Sequence, residues 1–230
     1  MFDVDISDCL NFALNVNKEK ELRTKENSRN LSKVGIMGGT FDPIHYGHLV
    51  TAEYIRTNFE LDRIIFIPSG DPPHKTDRII IDKMHRYYMC VLATQTNENF
   101  FVSEIELKRI GKSYTIDTLR EMKKVYPYSE IYFITGADAL CDMETWKDVP
   151  NLFKEGKFIG ATRPGVNLDS AKTKAQLFRQ KYDAQIFNVS VPSLDISSTD
   201  LREKIKKDES IKYLLPESVE KYIFKYNLYR

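Results

Sequence analysis

The sequence predicts a doubly wound α/β fold: a Rossmann-like parallel sheet sandwiched by helices, with a helical C-terminal part. Three observations predict it. Short apolar runs recur at 34–37, 63–68, 131–135, 158–162 and 186–191. Stretches with helical spacing separate most of them. The first two runs and the helix between them take about 35 residues, the size of a βαβ unit whose crossover is right-handed. Alternation of this kind belongs to sheets covered by helices on both faces.

Taken in order, residues 1–32 form a polar N-terminal extension and 33–230 a single domain. Residues 16–33 are mostly Lys, Glu, Asn and Ser, as in an exposed helix or a flexible leader. Residues 6–14 carry enough amphipathicity for a short docking helix. The plainest expectation is that this extension is dispensable for activity. The domain proper starts with the strand at 34–37. Leu49, Ala52, Ile55 and Phe59 then recur at helical spacing, and 63–68 (RIIFIP) is a second strand. A loop rich in Gly, Asp, Pro and Lys occupies 69–78. Residues 84–96 are expected as a helix, 100–106 as a strand and 115–125 as a helix. Strands at 131–135, 158–162 and 186–191 follow, and 199–207 and 216–226 are helical.

The formal net charge is +1, which argues against a nucleic-acid binder working through a bulk positive field. Cys9, Cys90 and Cys141 make neither a metal-ligand spacing nor a disulfide framework, as expected of reduced thiols in a cytoplasmic protein. No apolar stretch approaches the roughly 20 residues a membrane helix needs.

Five loops that follow strands carry ligand-type residues: 40–48, 69–75, 136–138, 163–165 and 192–202. In open α/β sheets such loops converge outside the carboxyl ends of the strands. The first reads Gly38-Gly39-Thr40-Phe41-Asp42-Pro43-Ile44-His45-Tyr46-Gly47-His48 at a strand-to-helix turn. Two glycines let the backbone approach a ligand, and the helix start offers N–H groups to an anion. His45 and His48, three apart, share a helix face. They could donate to phosphate oxygens, bind a metal or be structural. The metal alternative lacks a third ligand at helical spacing and the H-E-x-x-H pattern. In the last loop, Ile196-Ser197-Ser198-Thr199-Asp200-Leu201-Arg202, Ser197 and Asp200 stand at helix-start spacing. Arg202 in a first turn opposes the helix dipole, a conflict that a bound anion would remove. Hydroxyls, N–H groups and an arginine suit a triphosphate tail. Two look-alikes fail. Gly111-Lys112-Ser113 lacks the first P-loop glycine, where Glu106 stands, and Gly38-Gly39 does not complete G-x-G-x-x-G.

GGTFDPIHYGH and ISSTDLR together resemble the nucleotidyltransferases whose signature is a glycine pair followed by histidine-x-glycine-histidine. Within them the chain is similar to the bacterial nicotinate-nucleotide adenylyltransferases. Further matches are FIPSGDPPHK at 66–75, SYTIDTL at 113–119, FITGAD at 133–138, Trp146 eight residues after Asp138, ATRPG at 161–165 and LPESVEKYIFKYNLY at 215–229. The resemblance covers about 33–230 and implies adenylyl transfer from ATP to nicotinate mononucleotide, giving deamido-NAD and pyrophosphate, a step of NAD biosynthesis.

It also implies roles. Gly38, Gly39, Thr40 and Phe41 wrap the phosphates of ATP. His45 and His48 reach the α-phosphate. Ile196, Ser197, Ser198, Thr199 and Arg202 hold the leaving pyrophosphate end, with His45, His48 and Arg202 catalytic. Gly136 and Asp138 meet the adenosine. Trp146 stacks on the pyridine ring, and Thr115 sits near its carboxylate. Asp42 completes the mononucleotide side, and Lys75 and Arg163 assist at the mononucleotide phosphate or at the ATP tail. Mg²⁺ is expected on ATP, with no protein metal site, and a homo-oligomer is possible. The competing expectations are another member of the superfamily, such as a pantetheine-phosphate adenylyltransferase or a cytidylyltransferase, and a nucleotide-binding regulator without catalysis.

Overall fold

The computed structural model describes residues 5–72, 80–162, 169–192 and 194–230. Among the described residues, six strands form one parallel sheet: β1 (Lys33–Gly39), β2 (Arg63–Pro68), β3 (Phe100–Val102), β4 (Glu130–Gly136), β5 (Lys157–Thr162) and β6 (Ile186–Ser190). Their order is β3-β2-β1-β4-β5-β6. Every neighbouring pair is parallel, with Gly39 beside Pro68 and Ile134 beside Met37. The order reverses between β1 and β4, and the reversal opens a crevice at their carboxyl ends.

The helices are α1 (Ile6–Glu26), α2 (Tyr46–Asn58), α3 (Lys83–Thr94), α4 (Thr115–Val125), α5 (Ala137–Cys141), α6 (Val149–Glu155), α7 (Asp169–Tyr182), α8 (Ser198–Lys206) and α9 (Glu217–Lys225). Strand side chains alternate between the two faces. Ile64, Phe66, Tyr132 and Ile134 join a core with residues of α1, α2, α3, α8 and α9. Val34, Ile36, Ile65, Ile67, Ile131 and Phe133 join another with α4, α6 and α7. That is the doubly wound sandwich and helical C-terminal part the apolar runs predict.

Most element boundaries shift by one or two residues, and three show why. The expected strand at 100–106 stops at Val102, because β3 is a sheet edge and pairs with β2 only through Ile64, Ile65 and Phe66. The chain then turns, with Lys108 N–H bonded to Glu104 O. The helix expected at 84–96 begins one residue earlier, where the Asp82 carboxylate accepts from Met84 N–H, and it ends at Thr94. The last strand ends at Ser190 rather than at 191.

The largest difference is at the N-terminus. Residues 6–26 are one continuous helix packed on the domain, longer than the short docking helix expected at 6–14 and not a flexible leader. Its buried residues are Ile6, Leu10, Ala13, Asn17, Lys20 and Thr24. These recur every three or four positions as a helix stripe requires, but the second half of the stripe is polar. Asn17 Oδ1 accepts from Val102 N–H at 2.7 Å, and its Nδ2 donates to Val102 O at 3.0 Å. One amide thus satisfies the open edge of β3, which would otherwise invite strand pairing. Lys20 Nζ donates to Gln95 O and Asn97 O, each at 2.8 Å, and to Thr94 O at 3.3 Å. It satisfies carbonyls at the carboxyl end of α3 that have no partner within the helix. Burial lowers the amine's pKa from its ordinary value.

Candidate active site

Two cavities adjoin at the carboxyl ends of β1 and β4. One, of about 320 Å³, is lined by Gly38, Gly39, Phe41, His45, His48, Gly136 and residues 196–198. The other, of about 290 Å³, is lined by Gly38, Gly39, Thr40, Ser69, Glu106, Thr115 and Trp146, among others. The Gly38-Gly39 turn walls both. One chamber is more polar, with imidazoles and a helix start, and the other is closed by aromatic and aliphatic side chains.

His45 precedes α2 and is 4% exposed. His48 lies one turn on, with the two ring centroids 3.8 Å apart. His45 N–H donates to His48 Nδ1 at 3.2 Å. Nδ1 therefore acts as an acceptor, and a neutral ring carries its proton on Nε2. Gly47 makes this packing possible. A Cβ there would lie 3.0 Å from both Nδ1 and Cε1 of His45. The Phe41 ring meets His48 edge-on at 5.1 Å.

The start of α8 faces the same chamber. Ser197 Oγ accepts from Asp200 N–H at 3.1 Å and donates to Asp200 Oδ2 at 2.6 Å, so the expected helix-start pair forms. Ser198 Oγ donates to Pro43 O at 2.9 Å, tying α8 to the first loop. Arg202 Nη1 donates to Asp42 O at 2.7 Å, Nη2 donates to Thr199 Oγ1 at 3.1 Å, and Asp42 Oδ2 stands 4.0 Å away. Arg202 is the fifth residue of α8, in its second turn rather than its first, so the expected conflict with the helix dipole is weaker than its spacing suggested, and the guanidinium reaches back to Asp42. Tyr229 O–H donates to the other Asp42 oxygen at 2.9 Å. Burial and the adjacent carboxylate push that phenol's pKa far above its usual value, so it remains a donor.

In the second chamber Thr115 opens α4, behind an N-cap, Tyr114, that supplies no side-chain hydrogen bond. Trp146 meets Phe133 edge-on at 6.1 Å. Ser113, from the rejected P-loop look-alike, is a staple: its Oγ accepts from Gly70 N–H at 3.2 Å and from Asp71 N–H at 3.3 Å. Glu106, 8% exposed, accepts from Thr118 O–H at 2.6 Å, and Arg109 donates to the same hydroxyl at 3.1 Å. Burial raises the Glu106 carboxyl above its ordinary range.

The fold therefore gathers Gly38, Gly39, Phe41, His45, His48, Gly136, Ile196, Ser197 and Ser198 in one chamber and Gly38, Gly39, Thr40, Thr115 and Trp146 in the other. Asp42, Thr199 and Arg202 stand outside both linings and join the loops to each other. Asp138 is exposed in the first turn of α5, beyond the described linings. Lys75 and Arg163 lie outside the described residues. Sequence reasoning missed Glu106, Ser113, Tyr229 and Arg86. Ser113 and Tyr229 stood within the quoted runs SYTIDTL and LPESVEKYIFKYNLY, and Glu106 and Arg86 carried no such signal.

A cytidylyltransferase-like family model matches residues 36–204. A probable nicotinate-nucleotide adenylyltransferase from a Thermoanaerobacter species is 55% identical over 199 residues, covering 86% of this chain and 94% of the relative. One from Moorella thermoacetica is 52% identical, covering 86% and 92%. In fold, the chain is similar to a Plasmodium falciparum nicotinic acid mononucleotide adenylyltransferase complexed with NaAD. That match has a TM-score of 0.71 and 24% identity, and covers 86% of this chain and 97% of the other.

Proposed function

The chain belongs to the cytidylyltransferase-like family, and we infer that within it the chain is a nicotinate-nucleotide adenylyltransferase, joining ATP and nicotinate mononucleotide into deamido-NAD with release of pyrophosphate. The observation that carries the inference is the pair of adjoining chambers sharing the Gly38-Gly39 wall. A reaction joining two nucleotides needs two pockets that meet at the reacting phosphorus, and relatives of this name match nearly end to end.

In this reading the mononucleotide phosphate oxygen attacks the α-phosphorus of ATP. A new P–O bond forms, the bond to the β-phosphate oxygen breaks, and pyrophosphate leaves with the electron pair. The attacking phosphate is anionic at neutral pH, so no general base and no covalent enzyme intermediate is required. Catalysis is in-line positioning and neutralisation of charge. Gly38 and Gly39 bring main-chain N–H groups against the phosphates. His48, protonated on Nε2, and His45 donate to the α-phosphate oxygens. The start of α8 receives the pyrophosphate end through N–H and hydroxyl groups, with Arg202 behind it. Gly136 and Asp138 serve the adenosine, Trp146 the pyridine ring and Thr115 its carboxylate.

Mg²⁺ would enter with ATP. The donors facing the phosphate chamber are N–H, hydroxyl and imidazole groups, and among the described residues no three His, Cys, Asp or Glu side chains cluster around a cation position. Such donors fit phosphate oxygens, with the ion held by phosphate and water. When bound, the ion would neutralise phosphate charge. Among the described residues, no helix is long and apolar enough to cross a membrane. The three free cysteines suit a reducing, cytoplasmic setting.

A coupled assay for pyrophosphate tests the assignment. Turnover with ATP and nicotinate mononucleotide, well above that with nicotinamide mononucleotide or phosphopantetheine, is expected. Product with phosphopantetheine and none with nicotinate mononucleotide would overturn it.

A further inference from the structure

Arg86 lies on α3, 1% exposed, and lines neither chamber. Its guanidinium is directed at main-chain carbonyls of three separate segments. Nη1 donates to Thr40 O at 2.7 Å, Nη2 to Ser69 O at 2.7 Å and to Gly70 O at 3.4 Å, and Nε to Ile81 O at 3.3 Å. The first two segments are the loops after β1 and β2, and they wall the two chambers. A buried guanidinium needs most of its donors satisfied to offset lost hydration. Here that need is met by fastening one loop to the other.

The orientation of the peptides follows. Phe41 has φ of 49°, in the left-handed region, which costs a residue with a side chain about 1 kcal/mol. In a trans peptide the carbonyl and the next N–H point in opposite directions. With Thr40 O held on Arg86, the Phe41 N–H faces away from the guanidinium. The Ser69–Gly70 peptide obeys the same rule: its carbonyl is on Arg86, and its N–H is on Ser113 Oγ at 3.2 Å. Gly70 is pressed so closely that a Cβ would lie 2.4 Å from Glu106 O. Arg86 on one side and Ser113 on the other thus clamp the loop after β2.

We propose that Arg86 is a positioning residue for adenylyl transfer, setting from behind the distance and orientation between the loop that holds ATP phosphates and the loop that walls the mononucleotide chamber. The proposal rests on the function given above. It predicts that Arg86 acts on both substrates while touching neither.

The test uses the full chain with Arg86→Met, Arg86→Gln and Arg86→Lys. Each is followed by thermal melting, by steady-state kinetics with each substrate varied, and by calorimetric titration with a non-hydrolysable ATP analogue. In fully folded Arg86→Met, kcat/KM is expected to fall by about a hundred-fold or more. KM should rise for both substrates and the analogue should bind more weakly. Arg86→Lys, able to reach one or two carbonyls, should recover at least about ten-fold of the loss. If Arg86→Met does not fold, Arg86→Gln, which keeps one donor group, is read the same way. A folded Met or Gln variant with both KM values and kcat near wild type would overturn the proposal. So would a Lys variant no better than Met, or a loss of turnover that tracks only the unfolded fraction. Failure of all three to fold at low temperature would assign Arg86 to the fold alone and also overturn it. If wild type makes no deamido-NAD, the functional reading fails instead, and the analogue titration still reports on the ATP loop.

Discussion

Replacing Gly47 with alanine should weaken catalysis without weakening the fold. Gly47 is the second residue of α2, and Tyr46 N–H beside it is held by Leu214 O at 3.2 Å, so the helix start is fixed in place. An added Cβ would sit 3.0 Å from Nδ1 and Cε1 of His45 and 3.6 Å from Ile196 O. Comfortable carbon contacts begin near 3.5 Å, so the imidazole must retreat by about 0.5 Å. His45 is 4% exposed, and its ring already rests against His48 at 3.8 Å, so its displacement passes to the second histidine. A misplacement of about 1 Å at a reacting centre can cost about a hundred-fold, so half of that should lower kcat by about ten-fold or more. Alanine meanwhile favours a helix by up to about 1 kcal/mol over glycine. The expected result is reduced pyrophosphate release at saturating substrate, with a melting temperature equal to or above wild type. Wild-type kcat in the variant would refute the packing argument. A fall in activity matched by a fall in melting temperature would show that the turn collapsed rather than that the histidines moved.

His48→Ala should lower turnover about a hundred-fold or more, roughly 3 kcal/mol, with the fold retained by circular dichroism; turnover near wild type would remove His48 from the phosphate site. Trp146→Ala should raise KM for nicotinate mononucleotide about ten-fold, near the 0.5–1.5 kcal/mol of an aromatic contact, and leave KM for ATP unchanged. Equal shifts in both would point to a core role beside Phe133. Asn17→Leu leaves the N–H and carbonyl of Val102 without partners and should destabilise the protein by about 2–4 kcal/mol in urea unfolding, with kcat of the folded protein unaltered. A neutral result would mean that α1 does not seal the β3 edge. For Glu106 the sign follows from its raised folded pKa. The folded chain keeps this proton where the unfolded chain releases it, so the group's stabilisation is complete below about pH 4 and declines as pH rises through the folded value. Glu106→Gln, which keeps an acceptor for the Thr118 hydroxyl, should flatten that decline in melting profiles taken upward from about pH 4. Parallel profiles would show that the carboxyl is not the titrating group.

Much of the cleft was legible because its chemistry is local. The GGTFDPIHYGH turn carries its own glycines and its own histidine spacing, and ISSTDLR carries its own helix cap. The strands at 63–68 and the helix at 115–125 are fixed by runs that fall within a few residues of each other. Residues 6–26 were harder. Asn17, Lys20 and Thr24 complete a helical stripe, but they are polar, and no periodicity of apolar residues marks a face that is buried against carbonyls.

By itself the sequence determined the run of strands, the helices at 115–125, 199–207 and 216–226, the parallel sheet, and that the loops around 40–48, 136–138 and 196–198 would meet at its carboxyl edge, because each of these depends on spacing within a short stretch. Tertiary structure alone decided the partners of the buried polar groups. Tyr229 reaches the Asp42 carboxylate across 187 positions, and Arg86 and Asn17 reach main-chain carbonyls, of Thr40 across 46 and of Val102 across 85. A main-chain carbonyl looks the same in every residue, so no pattern of side chains announces that it will be the acceptor. Only the packing of distant segments makes such a carbonyl the one place where a buried donor is satisfied.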